Sequence, residues 1–158
     1  MKKILTFLLL FVAVLNANAQ FEKGKTYVGA SVSGLGFSYS SNEEFRMGLD
    51  AEGGCFLADC LLLKGNVGYE HTRAIDDVRI GAGIRYFFSQ NGIFLGSGAE
   101  YNHFTKNNND VMIPVEVGYA FFINGHLTIE PSLYYKMSLH DFSGNSTVGA
   151  RIGLGFYF

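Results

Sequence analysis

The sequence predicts an all-β fold: an eight-stranded antiparallel up-and-down transmembrane β-barrel, preceded by a cleavable signal peptide. Three observations predict it. The chain begins with an export signal, eight later segments alternate apolar and polar side chains, and in seven of them one face carries no charge. The composition agrees, because a chain with 20 glycines, 15% aromatic residues and only 2 prolines is typical of barrels and sandwiches.

The N-terminus has the form of a secretory signal peptide. Two lysines precede an apolar run over residues 4–15, and an A-x-A cleavage pattern ending at Ala19 follows. The run is too short to cross a bilayer as a helix, which needs about 20 residues. We predict cleavage after Ala19, so that residues 1–19 form the signal peptide and residues 20–158 form one barrel domain.

The predicted strands follow in order from residue 26. The first, residues 26–39, is the least regular, and its phase slips around Gly34, as a β-bulge would explain. The seventh is the most regular, with apolar residues at odd positions from Leu127 to Leu139 and polar residues between them. The other strands alternate in the same way over residues 45–57, 61–72, 78–88, 93–104, 111–122 and 147–158. All eight are long enough for a tilted membrane strand, which takes ~9–11 residues.

The connections alternate in kind. Two of the short turns contain Asn-Gly, the strongest short hairpin signal. Short turns are predicted at residues 56–60, 89–92 and 123–126. Longer polar loops are predicted at residues 40–44, 73–77, 105–110 and 140–145. This alternation is typical of periplasmic turns and cell-surface loops, and it would leave both termini in the periplasm.

Charge indicates which face meets lipid. A soluble barrel that buries its apolar face is the alternative, but the charged residues of strands two to eight all share the polar face. An Arg or Lys at the lipid-facing midplane costs roughly 2–4 kcal/mol, so a charge-free apolar face favours a bilayer. We therefore predict that the charged residues line the lumen. They are Arg46, Asp50, Glu52, Lys64, Glu70, Arg79, Arg85, Glu100, Glu116, Glu130, Lys136 and Arg151.

Two further patterns support this facing. Many glycines share the charged face, and the interior of an eight-stranded barrel is only just wide enough for side chains. Aromatic residues of the apolar face lie near strand ends, where membrane barrels carry interfacial girdles. The glycines are Gly48, Gly54, Gly68, Gly81, Gly83, Gly96, Gly98, Gly118, Gly149, Gly153 and Gly155. The aromatic residues are Tyr39, Phe45, Tyr69 and Tyr101 at one rim and Tyr86, Phe88, Tyr119, Phe121, Phe156 and Phe158 at the other.

The C-terminus resembles the terminal β-signal of bacterial outer-membrane proteins. Gly153 is followed by aromatic residues three and five positions later, Phe156 and the final Phe158. With the signal peptide and eight strands, residues 20–158 resemble the small OmpA/OmpX-type outer membrane protein beta-barrel domain family. The resemblance implies assembly by the barrel-assembly machinery and a location in the bacterial outer membrane, in contact with its lipid and lipopolysaccharide. The short loops differ from those of OmpX-like members.

The lumen charges form the main candidate site. Six acids face six bases, and because unpaired buried charge is costly we expect them to neutralise one another as a structural plug. A narrow pore for ions or small solutes is the alternative. Cys55 and Cys60 flank a turn and could form a disulfide at the hairpin base or remain two free thiols. We expect no metal site, because no His or further Cys pair joins them at zinc spacing. No cofactor or catalytic site is expected either.

These observations predict a non-enzymatic, monomeric integral protein with a structural or surface-interaction role. After the predicted cleavage, 10 basic and 14 acidic residues leave a formal charge of −4, and no basic patch suggests nucleic acid. A lipid-modifying enzyme is a remote alternative, because a Ser/His/acid set could carry out acyl chemistry. The residues that raise this alternative are His103, Ser138, His140, Asp141 and Ser143.

Overall fold

The structure is a computed structural model that describes residues 21–33, 46–72, 75–89, 91–104, 108–139 and 146–158. Its strands are β1 (Thr26–Ser33), β2 (Arg46–Ala58), β3 (Leu61–Thr72), β4 (Ile75–Phe87), β5 (Ile93–Phe104), β6 (Asn108–Tyr119), β7 (Phe121–Phe122), β8 (Leu127–Ser138) and β9 (Thr147–Tyr157). Each pairs antiparallel with its neighbours, and β1 also pairs with β9, so the sheet closes on itself. No helix in these ranges is long and apolar enough to span a membrane.

The closed sheet has eight barrel strands, because β6 and β7 are two parts of the same strand. Both pair with β8 in a single register, in which Gly118 faces Ser132 and Phe121 faces Ile129. The ladder is interrupted near Pro131, whose nitrogen has no hydrogen to donate. Between the two parts, Ala120 N donates to the Gly92 carbonyl at 2.9 Å. The predicted eight-stranded antiparallel barrel is therefore confirmed.

Several strand bounds differ from the prediction. β4 begins at Ile75 and β6 at Asn108, each three residues earlier than expected. The hairpins pair up to their tips, since Thr72 faces Ile75 and Phe104 faces Asn108. Polar side chains there misled the prediction, because ladder hydrogen bonds depend on the backbone rather than on side-chain polarity. The expected bulge near Gly34 lies outside the described residues.

The two faces of the sheet are chemically opposite. Outward side chains are apolar and exposed, for example Leu133 at 61% and Ile80 at 59% relative exposure. Inward side chains are charged and buried, for example Arg85 at 3% and Glu130 at 3%. The barrel is thus apolar outside and carries buried charges inside, the reverse of a soluble protein. At one rim the outward aromatic ring of Tyr86 packs edge-on against Phe88, with centroids 5.4 Å apart.

Candidate functional site

The lumen is filled in two layers. An ion-pair cluster occupies its middle and consists of Glu52, Lys64, Arg85, Glu116, Glu130 and Arg151. An aromatic plug fills the end that carries the short turns, here called the turn end. It consists of Phe21, Tyr27, Phe56, Leu62, Phe87, Phe94, Ala120 and Tyr157, with Cys60 and Phe122 packed against it.

Arg85 is the centre of the ion-pair cluster. Its Nε lies 3.0 Å from Glu116, its Nη1 2.8 Å from Glu130 and its Nη2 3.1 Å from Glu52. These carboxylates come from β6, β8 and β2, none of which neighbours β4. The guanidinium carbon also lies 4.2 Å from the centroid of the Phe94 ring. One side chain therefore ties together strands on different sides of the lumen.

Arg151 and Lys64 complete the cluster. Arg151 bridges Glu52 and Glu116 at 3.0 Å each. The Lys64 ammonium lies 3.2 Å from Glu52 and 2.8 Å from Glu116. Three cations thus meet three carboxylates, so the cluster is electrically neutral. Such a balance is what buried charges require, because an unpaired one would carry the full desolvation cost.

Two further ion pairs lie toward the opposite end of the lumen, here called the loop end. Arg79 Nη2 lies 3.1 Å from Asp50, and Lys136 Nζ lies 2.6 Å from Glu100. Asn66 donates a further hydrogen bond to Glu100 at 3.1 Å. The structure thus brings together the described members of the predicted set. The side chains of the other two members, Arg46 and Glu70, lie outside the described part of the structure.

Glu130 joins the cluster to the plug. Its carboxylate accepts hydrogen bonds from Tyr27 at 3.0 Å, Tyr157 at 2.7 Å and Thr128 at 2.8 Å, as well as from Arg85. Each phenol has its ring in the aromatic plug and its hydroxyl in the ion-pair cluster. The aromatic plug therefore begins directly beside Glu130, whose carboxylate is fully hydrogen-bonded.

Phe21 closes the aromatic plug at the turn end of the lumen. Its ring stacks on Phe87 with centroids 4.1 Å apart and meets Tyr157 edge-on at 5.7 Å. The backbone is fixed as well, because Cys60 N donates to the Phe21 carbonyl at 2.7 Å. Lys23 N donates to the Asp59 carboxylate at 2.9 Å. The segment before β1 thus crosses the turn end and seats an aromatic ring in it.

The aromatic plug was not predicted, although the sequence contains a signal for it. The plug residues have the same parity as the lumen charges. Phe87 lies two positions after Arg85, and Leu62 lies two positions before Lys64. Alternation therefore places these large apolar side chains on the lumen face together with the charges. Parity predicts their facing, whereas the closing position of Phe21 depends on a segment before the first strand.

The inward glycines make room for long side chains. A Cβ atom on Gly96 would lie 2.6 Å from Oε1 of Glu116, and one on Gly149 would lie 2.5 Å from the hydroxyl of Tyr134. On Gly68 it would collide with the Asp50 carboxylate. Glycine and charge share one face because each large side chain lies over a position that has none.

Two small cavities remain within the cluster. One of about 20 Å³ is lined by Lys64, Glu116 and Arg151 among others, and one of about 10 Å³ by Tyr27, Glu130 and Arg151 among others. Each has room for roughly one water molecule. Arg151 borders both cavities, and each space is far too small to form a wide passage.

The remaining candidates that the structure describes do not form a reactive site. Cys55 and Cys60 are free thiols in this structure. Burial is the larger and the neighbouring Asp59 the smaller cause that raises the pKa of the Cys60 thiol, which disfavours the nucleophilic thiolate.

Within the described ranges, no three His, Cys, Asp or Glu residues cluster as metal ligands. Ser138 points into the lumen and donates to Asp110 at 2.6 Å. Positions 140, 141 and 143 lie outside the described residues.

Several solved structures have the same architecture. The N-terminal barrel domain of Pseudomonas aeruginosa OprF is similar with a TM-score of 0.70, at 17% identity over 86% of this chain and 98% of that one. Neisserial surface protein A has a TM-score of 0.64, at 14% identity over 85% and 96%. Yersinia pestis Ail has a TM-score of 0.55, at 11% identity over 86% and 100%. No family model and no curated protein matches the chain. The chain thus has the fold of the small OmpA/OmpX-type outer-membrane barrels.

Removal of Arg85 should destabilise the barrel strongly. In Arg85→Leu, three buried carboxylates lose a shared cation, and the free energy of unfolding should fall by about 3–5 kcal/mol. Lys136→Met, which strands one carboxylate, should cost less. The double variant Arg85→Leu/Glu130→Gln should recover part of the loss. Arg85 pairs with Glu130, so the second substitution removes a carboxylate that the first one leaves without this cation. Urea titration of refolded protein measures all three, and equal losses for Arg85→Leu and Lys136→Met would contradict the central role of Arg85.

Alanine at an inward glycine should be costly where alanine at an outward one is not. Gly96→Ala would push the Glu116 carboxylate out of the cluster, and overpacking of this kind costs about 1–3 kcal/mol. Gly65 faces outward, and the nearest heavy atom to its added Cβ is 3.7 Å away, so Gly65→Ala should leave stability unchanged or slightly improved. The same unfolding titration compares them, and a harmless Gly96→Ala would show that the lumen is loosely packed.

Proposed function

We propose that this chain is a non-enzymatic integral protein of the bacterial outer membrane, closed to solutes, with a structural or surface-interaction role. One observation carries the proposal: the described lumen is filled by neutralised ion pairs and an aromatic plug, while the outer face is apolar. Both features suit a barrel whose strands are stable in lipid and whose interior transports nothing.

The outer face supports the membrane part of the proposal. Its exposed side chains include Leu49, Val67, Ile80, Leu133, Ile152 and Leu154. A soluble protein rarely leaves so much contiguous apolar surface in water. In a bilayer every backbone polar group must be satisfied within the protein, and a closed sheet meets that requirement because it has no free edge.

The filled lumen supports the closed part. A continuous path would need space past Arg151, and then a second opening through the aromatic plug at the turn end. The ion-pair cluster and the plug are independent barriers placed one after the other. A narrow pore remains the second candidate, and the cavities beside Arg151 are the feature that favours it.

The sequence supports the remaining parts of the proposal. Gly153, Phe156 and Phe158 match the terminal β-signal, which supports assembly by the barrel-assembly machinery. The signal peptide pattern and the short turns support a periplasmic position for both termini. The surroundings would be outer-membrane lipid and lipopolysaccharide, and the protein would act as a monomer.

Electrical recordings test closure directly. The refolded protein in a planar lipid bilayer should show no sustained openings, because two barriers in series block the lumen. Arg151→Ala should also remain silent, since it would enlarge both cavities and leave the plug in place. Insertion is checked by a heat-dependent shift in gel mobility. Sustained, ion-selective openings by the unmodified protein would replace the structural role with the pore.

A charge on the outer face tests membrane insertion. Ile80→Arg places a guanidinium on an exposed apolar position near the middle of β4 and should cost roughly 2–4 kcal/mol of unfolding free energy in lipid vesicles. Gly125→Arg is the control, because Gly125 is exposed in a turn with open space around its Cβ position. Similar unfolding free energies for the two variants in vesicles would indicate that this face does not meet hydrocarbon.

A further inference from the structure

One buried carboxylate in the described part of the lumen belongs to no ion pair. Asp110, near the start of β6, is 4% exposed. Its Oδ2 accepts a hydrogen bond from Ser138 Oγ at 2.6 Å, while its Oδ1 has no hydrogen-bond partner. The ion pairs of the described residues join five acids to five bases, and Asp110 belongs to none of them. Among the described residues, Asp110 is therefore a buried carboxylate outside every one of these ion pairs.

A second unsatisfied acceptor lies directly across the ladder. Asn102 on β5 is the register partner of Asp110, and its side chain is 5% exposed. Its Nδ2 donates to the sulfur of Met112 at 3.2 Å, whereas its Oδ1 has no partner. Side chains at opposed positions of an antiparallel pair start from Cβ atoms about 4.5–5.5 Å apart. The two unsatisfied oxygens therefore belong to neighbouring inward side chains at the loop end.

We infer that Asp110, Asn102 and Ser138 form a binding site for a hard cation of the Ca²⁺ class. A carboxylate, an amide carbonyl and a hydroxyl supply the oxygen ligands that such ions prefer, and water would complete the coordination. The cation would satisfy both unpaired oxygens and lie against the Asp110 carboxylate. Because only one of the three ligands is charged, the affinity should be low, with a Kd of about 10⁻⁴–10⁻³ M.

The site is separate from the proposed closure of the lumen. Asp110 and Asn102 are not members of the ion-pair cluster or of the aromatic plug. Closure could fail as a proposal, with sustained openings in a bilayer, while the cation site stands. Conversely, a silent barrel that ignores Ca²⁺ would remove the site and leave closure intact.

Thermal unfolding of the full refolded barrel in detergent micelles tests the site. CaCl₂ should raise the Tm in a saturable way, with half the effect at about 10⁻⁴–10⁻³ M, when NaCl holds the ionic strength constant. Asp110→Asn keeps the shape but removes the charge, and it should abolish the shift. Asp59→Asn removes an exposed carboxylate at the turn end and should leave the shift unchanged.

A gain of affinity is the second test, and it does not depend on loss of stability. Asn102→Asp adds a second carboxylate, so it should lower the Tm without Ca²⁺ and bind Ca²⁺ more tightly than the unmodified protein does. If the Asn102 amide is instead turned over and donates to Asp110, the unmodified protein will not respond to Ca²⁺. That result, or a Ca²⁺ shift that survives Asp110→Asn, overturns the inference.

Discussion

Arg85 places a positive charge inside the barrel, where it pairs with the carboxylates of Glu52, Glu116 and Glu130. None of these carboxylates lies on a strand next to β4, which carries Arg85. A guanidinium has five donors in a fixed plane and cannot be neutralised by losing a proton. Its burial therefore demands acceptors from several directions at once. The rest of the lumen follows from this demand, since Lys64 and Arg151 balance the carboxylates that Arg85 brings together.

Packing around the cluster obeys the same constraint. The carboxylate of Glu116 lies over Gly96, because any side chain there would displace it. Tyr27 and Tyr157 give their hydroxyls to Glu130 and their rings to the plug, so one residue type serves both layers. The outer face carries none of these requirements and is free to be apolar. A barrel with a polar, neutral interior and an apolar exterior is stable where the solvent is lipid.

The fold was predictable from the sequence because side-chain facing depends on parity alone. Alternation around Arg85 and Lys64 was enough to assign the strands and their two faces. The ion-pair partners were not predictable, because they depend on how the strands are staggered around the closed sheet. Strand ends were also missed at Ile75 and Asn108, where polar side chains resemble a loop. Asp110 was assigned to that loop, so its burial emerges only from the three-dimensional arrangement.

The most direct test of the account is the state of the Arg85 guanidinium itself. Arginine-selective nitrogen NMR of the barrel in micelles reports whether the Nη groups rotate and exchange with water, and Arg85→Lys assigns the signal. Bonds from Nε, Nη1 and Nη2 to three different carboxylates should hold the group still and give separate, exchange-protected resonances. A single averaged resonance that exchanges rapidly with water would show an open, hydrated lumen and would contradict the account.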